Sequence, residues 1–240
     1  MLDAARLREA EALIFDIDGT LWDSTAVVAK AWNKALSDCA EEVFFSKADC
    51  PVLTAERLRA EFGKPMDEIA RSILPPSAWE ALCSVPGRLS RFLEACYARE
   101  DEAIAREGGV LYPNVPETLQ VLSARYPLYA VSNCQCGYIE SFTAYIGMPD
   151  IFRGQLCFGD TGLSKGETMA LLMRREGLRE VVYIGDIEGD AIASAKAGAA
   201  FIWASYGFGT VPKALYTKKI SEFAELSYFF TGNSRHYLLK

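Results

Sequence analysis

The stretch Ala12 to Ser24, ALIFDIDGTLWDS, places four apolar residues directly before Asp16, Asp18 and Asp23, with Gly19-Thr20 between the last two acids. Such a run reads as a strand buried on both faces, which restricts the chain to folds with a covered sheet. In extended backbone residues two apart share a side, so Asp16 and Asp18 face one site if the strand persists to its end. Gly19 then lets the chain turn away.

Similar runs recur at Leu128 to Ser132, Val181 to Asp186 and Phe201 to Ser205. Helical patterns lie around them, over Pro116 to Ala124, Tyr138 to Ile146, Gly166 to Glu176 and Asp190 to Ala197. This alternation predicts βαβ units, hence an α/β fold with a parallel sheet. Residues 24–108 differ. They carry helical segments at Val27 to Leu36, Ala55 to Phe62, Met66 to Leu74 and Arg88 to Ala105 with almost no strand signal. The expected organisation is a core of residues 1–23 and 109–240 with a helical insert at 24–108.

Composition removes several function classes. The net charge of -7 repels phosphate backbones, so nucleic acid is not an expected partner. No secretory segment and no run of eighteen apolar residues appears, which predicts a cytoplasmic chain without a membrane anchor. Seven cysteines, Cys39, Cys50, Cys83, Cys96, Cys134, Cys136 and Cys157, are scattered without CxxC pairs and fit reduced thiols. The single histidine, His236, excludes triads and multi-histidine metal sites.

In an open parallel sheet, ligands bind at the carboxyl ends of the strands, where Asp16, Ser132-Asn133 and Asp186 all fall. Acids gathered there, with Asp190 nearby, repel one another unless a cation neutralises them. An all-oxygen set suits Mg2+. A carboxylate can also attack a phosphoryl group when Ser132, Asn133 and Lys165 supply hydrogen bonds and positive charge.

The ordered motifs DIDGT, VSN, the lysine of TGLSKGE, and GDIEGD resemble the haloacid dehalogenase-like superfamily, in its phosphoglycolate phosphatase-like branch. The pattern DxDGTLxDS is matched at every fixed position from Asp16 to Ser24. The resemblance implies a Rossmann-like core with a helical C1-type cap. It implies Mg2+-dependent hydrolysis of a small phosphorylated metabolite through an aspartyl-phosphate, by a monomer or weak homodimer. Asp16 is then the nucleophile, and Asp18 the general acid and base. Lys165 offsets charge and contacts the phosphoryl group with Ser132 and Asn133. Asp16, the Asp18 carbonyl and Asp186 hold the metal, while Asp190 stands one layer back, orienting a water or Lys165.

Ile187 departs from the small hydroxyl residue that many relatives carry after the motif's first acid. Lys64, in FGKPMDEI, is a candidate substrate contact from the cap, and Cys134 and Cys136 read as packed thiols near the pocket rim. A sugar-phosphate mutase is the rival reading, although no obvious cap arginine would hold its second phosphate. A haloacid dehalogenase would need neither Asp18 nor Mg2+, and a silent binding module would lack an acid that this chain retains.

Overall fold

The computed structural model describes residues 6–41 and 50–232; His236 lies outside them. The chain divides into two compact units, one of residues 1–23 with 110–240 and one of residues 24–109.

In the first unit, strands β1 (Ala12–Phe15), β4 (Leu128–Ser132), β5 (Gly154–Cys157), β6 (Val181–Gly185), β7 (Ala200–Ala204) and β8 (Lys218–Ile220) form one sheet. Its order is β5-β4-β1-β6-β7-β8, and every pairing is parallel. A parallel neighbour requires a crossover, and the helices α6 (Val115–Ser123), α7 (Tyr138–Tyr145), α9 (Lys165–Glu176) and α10 (Glu188–Ala197) lie in those connections. The predicted α/β class is the observed one.

β1 is central because all four of its side chains are apolar and fully buried. Ala12 and Ile14 join a cluster with Tyr129, Val131, Tyr183, Met169 and Leu172. Phe15 meets Phe152 and Phe223, with ring centroids 6.3 and 5.9 Å away. The continuous apolar run thus reflects a strand covered on both sides.

The register sets the level of the strand ends. Phe15 pairs with Ala130 on β4 and Ile184 on β6. The residues just beyond therefore emerge side by side at the same edge. β1 and β6 also form the switch point, since the chain leaves β1 towards β4 and leaves β6 towards β7.

A short antiparallel pair, β2 (Trp22–Asp23) with β3 (Val110–Leu111), joins the two points at which the chain leaves and re-enters this unit. Trp22 is anchored by edge-on contacts with Tyr138 and Phe142 at 5.9 and 5.0 Å. The remaining helices of the unit are α8 (Phe158–Thr161), α11 (Glu225–Thr231) and two 3-10 turns, Arg6–Glu9 and Lys213–Leu215.

The second unit is helical: α1 (Thr25–Glu41), α2 (Ala55–Arg59), α3 (Met66–Ile73), α4 (Pro76–Cys83) and α5 (Arg88–Glu107). Trp32 of α1 donates its indole N–H to the buried Glu100 of α5 at 2.8 Å, which satisfies both groups. Helix α4 was not among the predicted helices. It begins at Pro76, where the missing N–H costs nothing.

Truncating the central strand should be costly. Ile14→Ala is expected to destabilise the protein by about 2–5 kcal/mol, measured by urea denaturation. A loss within about 0.5 kcal/mol, the range of ordinary surface changes, would contradict the role assigned to β1.

Candidate active site

Asp16 continues the ladder one residue past β1, its N–H donating to Ile184 O at 2.9 Å. Its carboxylate is buried with those of Asp186 and Asp190, and these three offer oxygens within 4.8 Å of one another. Lys165, also buried, donates to Asp16 Oδ1 at 3.0 Å and Asp190 Oδ1 at 2.7 Å. Four charged groups from four chain segments thus meet at the carboxyl edge of the sheet.

Each is held by local structure. Lys165 opens α9, whose first turn is fixed by Ser164: its N–H and hydroxyl both donate to Glu167 Oε2, at 3.1 and 2.5 Å. Asp190, in the first turn of α10, accepts from the N–H groups of Asp186 and Ile187 at 3.0 and 3.2 Å. One carboxylate therefore caps its own helix and ties down the chain after β6. Asp186 accepts from Phe208 N–H at 2.7 Å and, more loosely, from the Thr20 hydroxyl at 3.4 Å. The Asp186 carbonyl takes the indole N–H of Trp203 at 2.9 Å.

Gly19 makes this approach possible. Its φ of +80° suits glycine, and a Cβ there would lie 2.1 Å from Asp186 Oδ2. The loop from Asp16 to Trp22 is closed by Ile17 O, which accepts from the N–H groups of Leu21 and Thr20 at 2.8 and 3.3 Å.

The charges do not balance, because three buried carboxylates face one ammonium. Burial pushes the Asp16 carboxyl up to about 7; Lys165 works against this, and the charge of Asp190 adds to it. Asp186 is raised well above the usual carboxylate range by burial, then by the charges of Asp190 and Asp16. Burial acts to lower Lys165, but Asp16 and Asp190 outweigh it and hold the ammonium firmly protonated. A buried, oxygen-only site with surplus negative charge fits a hard divalent cation.

β1 ends at Phe15, so Asp16 and Asp18 are not successive residues of a strand, contrary to the expectation of an extended continuation. The half-buried Asp18 turns its Oδ1 to the hydroxyl of Tyr138, 2.8 Å away. Tyr138 opens α7 and was not singled out in the sequence, nor was Phe208, which no motif marks; Thr20 lies within DIDGT but was given no role. Ser132 is the buried last residue of β4, and Asn133 follows it. Lys64 lies in the helical unit and pairs with Glu61 at 2.6 Å. Ile187 leaves its side chain without a polar atom at the start of α10, where its N–H is bound by Asp190.

The family model for haloacid dehalogenase-like hydrolases matches residues 10–198. The chain belongs to this family. It is similar to the phosphoglycolate phosphatase of Rhodobacter capsulatus, with 29% identity over 213 residues, covering 85% of this chain and 88% of the relative. The Yersinia pseudotuberculosis phosphoglycolate phosphatase is 24% identical over 208 residues, covering 85% and 84%. Among solved structures, a haloacid dehalogenase-like family hydrolase from Streptococcus pneumoniae superposes with a TM-score of 0.73 at 18% identity, over 92% of this chain and 98% of that one. It shares the fold. The chain is accordingly a hydrolase.

The metal-free protein should show an unusual pH dependence. Asp16 binds its proton more tightly folded than unfolded, since its pKa rises from 3.8 to about 7. Its contribution to stability is complete below about pH 3.8 and is lost as pH rises towards about 7. In chelator, urea midpoints of wild type minus Asp16→Asn should therefore fall across that window. A difference that stays flat or rises would refute this.

Proposed function

We propose that this haloacid dehalogenase-like hydrolase is a Mg2+-dependent phosphatase, cleaving a small phosphomonoester of the phosphoglycolate class through an aspartyl-phosphate. The observation that carries the reading is the buried Asp16 carboxylate, held by Lys165 at 3.0 Å and ringed by acids at the sheet's carboxyl edge.

Asp16, the Asp18 carbonyl and Asp186 would hold Mg2+, which when bound supplies charge neutralisation and polarises the phosphoryl oxygens. Lys165 binds Asp16 Oδ1, which leaves Oδ2 to attack phosphorus. The P–O bond to the leaving alcohol breaks as the new one forms. Asp18, held by the Tyr138 hydroxyl, gives the departing oxygen a proton and then takes one from the water that hydrolyses the acyl phosphate. The Ser132 hydroxyl and Asn133 N–H would hold the transferring oxygens, and Lys165 would offset their charge.

Asp190 serves here as a positioning residue for Lys165. The helical unit of residues 24–109 is read as the cap, the part that discriminates among phosphate esters. The protein is read as a cytoplasmic monomer or weak homodimer. Supporting the substrate class are the phosphoglycolate phosphatases among its relatives.

Phosphate release from a panel of monoesters including 2-phosphoglycolate, with and without Mg2+, tests the reading. Activity should require Mg2+, vanish in Asp16→Asn, and fall by about 10²- to 10⁴-fold in Asp18→Asn. No release from any ester by the folded, Mg2+-loaded protein would defeat it.

Mg2+ binding has its own readout. The cation should raise the thermal midpoint of wild type and leave that of Asp186→Asn nearly unchanged. Equal shifts in both proteins would remove Asp186 from the metal site.

A further inference from the structure

A second cluster of possible ligands sits at the ends of β4 and β5. The register pairs Ser132 with Cys157, so the loop leaving β4, with Cys134 and Cys136, runs beside the end of β5. Cys136, Cys157 and Asp160 offer two sulfurs and a carboxylate oxygen within 4.8 Å of one another. None of them belongs to the acid site around Asp16.

The arrangement is fixed by the backbone. Asp160 Oδ2 accepts from Cys157 N–H at 2.8 Å, and its Oδ1 accepts from the Cys136 thiol at 3.2 Å. Gly159 N–H donates to Cys134 O at 3.0 Å, and a Cβ on Gly159 would fall 2.4 Å from Cys136 N, so glycine lets the two loops close. Cys157 lies buried at the floor, while Cys136 and Asp160 are exposed at the mouth, which leaves a way in. All three thiols are free.

The chemistry favours a cation. The Cys136 thiol hydrogen points from sulfur to Asp160 Oδ1, so sulfur and carboxylate already share a proton that an ion would replace. Tetrahedral zinc holds sulfur at about 2.3 Å, which sets ligands about 3.8 Å apart, so small side-chain rotations would close the present group around an ion. Aspartates alone suit Mg2+, but two sulfurs select a softer metal.

We infer that Cys136, Cys157 and Asp160 form a second metal site, for a thiophilic divalent cation of the zinc class, with a fourth position open to water. Binding releases the two thiol protons to solvent. Gly159 N–H holds Cys134 O at 3.0 Å, so the site is built on the same loop that follows Ser132 and carries Asn133.

The test uses the full chain with saturating Mg2+ and a non-thiol reductant, titrated with Co2+ as a spectroscopic stand-in. A sulfur-to-cobalt charge-transfer band should grow to one equivalent and be displaced by Zn2+. The band should disappear in Cys157→Ser, and Asp160→Asn should weaken Co2+ binding by about tenfold or more. Zn2+ should also slow alkylation of Cys136 while leaving Cys83, an exposed thiol of α4, unaffected. Absence of the band, its persistence in Cys157→Ser, or alkylation of Cys136 at the same rate with and without Zn2+ would overturn the assignment. Cys136→Ser, at an exposed position, repeats the band measurement with little risk to folding.

Discussion

The ammonium of Lys165 is the charge around which this site closes. It alone among the four buried groups is positive, and it reaches two of the three acids, Asp16 at 3.0 Å and Asp190 at 2.7 Å. Removing it would leave carboxylates of three separate segments in a dry environment with no opposing charge. The sheet supplies the positions and Lys165 makes them tolerable. Its coverage is incomplete, however, and the edge of the sheet keeps a surplus of negative charge.

Backbone amides carry the rest of that load. Asp190 takes two N–H groups, from Asp186 and Ile187, and Asp186 takes that of Phe208. Such donors are fixed by the fold and cost no side-chain entropy when they act. The hydrophobic β1, with every side chain buried, holds the frame rigid while the acids stand at its end. Apolar strand and polar terminus are thus one device, in which the packing that stabilises the sheet also fixes the chemistry.

Much of this was legible because it is local. The buried strands declare themselves as short apolar runs, Lys165 falls in a first helical turn that Ser164 and Glu167 mark, and Asp190 falls four residues after Asp186 in GDIEGD. What escaped depends on distant pairing or on short elements. β5 and β8 are four and three residues long and only partly apolar, so no run reveals them. α4 starts on a double proline that reads as a break. Tyr138 reaches Asp18 across 120 positions. Cys136 and Asp160 meet only because β4 and β5 lie in register. The extended geometry expected for Asp16 to Asp18 failed for a related reason: the turn closed on Ile17 O ends the strand first.

The hydrogen bonds also separate acids that the motifs alone make look equivalent. Asp190 spends Oδ1 on Lys165 and Oδ2 on two amides, so its oxygens are already committed to holding other groups. Asp16 commits one oxygen to the same lysine and keeps the other available. Asp18 is turned aside to a tyrosine, half-buried, where solvent and a proton can reach it. Attack needs a free, desolvated oxygen, proton transfer needs access to solvent, and orientation needs saturation. Three aspartates of one chemical type thus acquire three different capacities from burial and partner count alone.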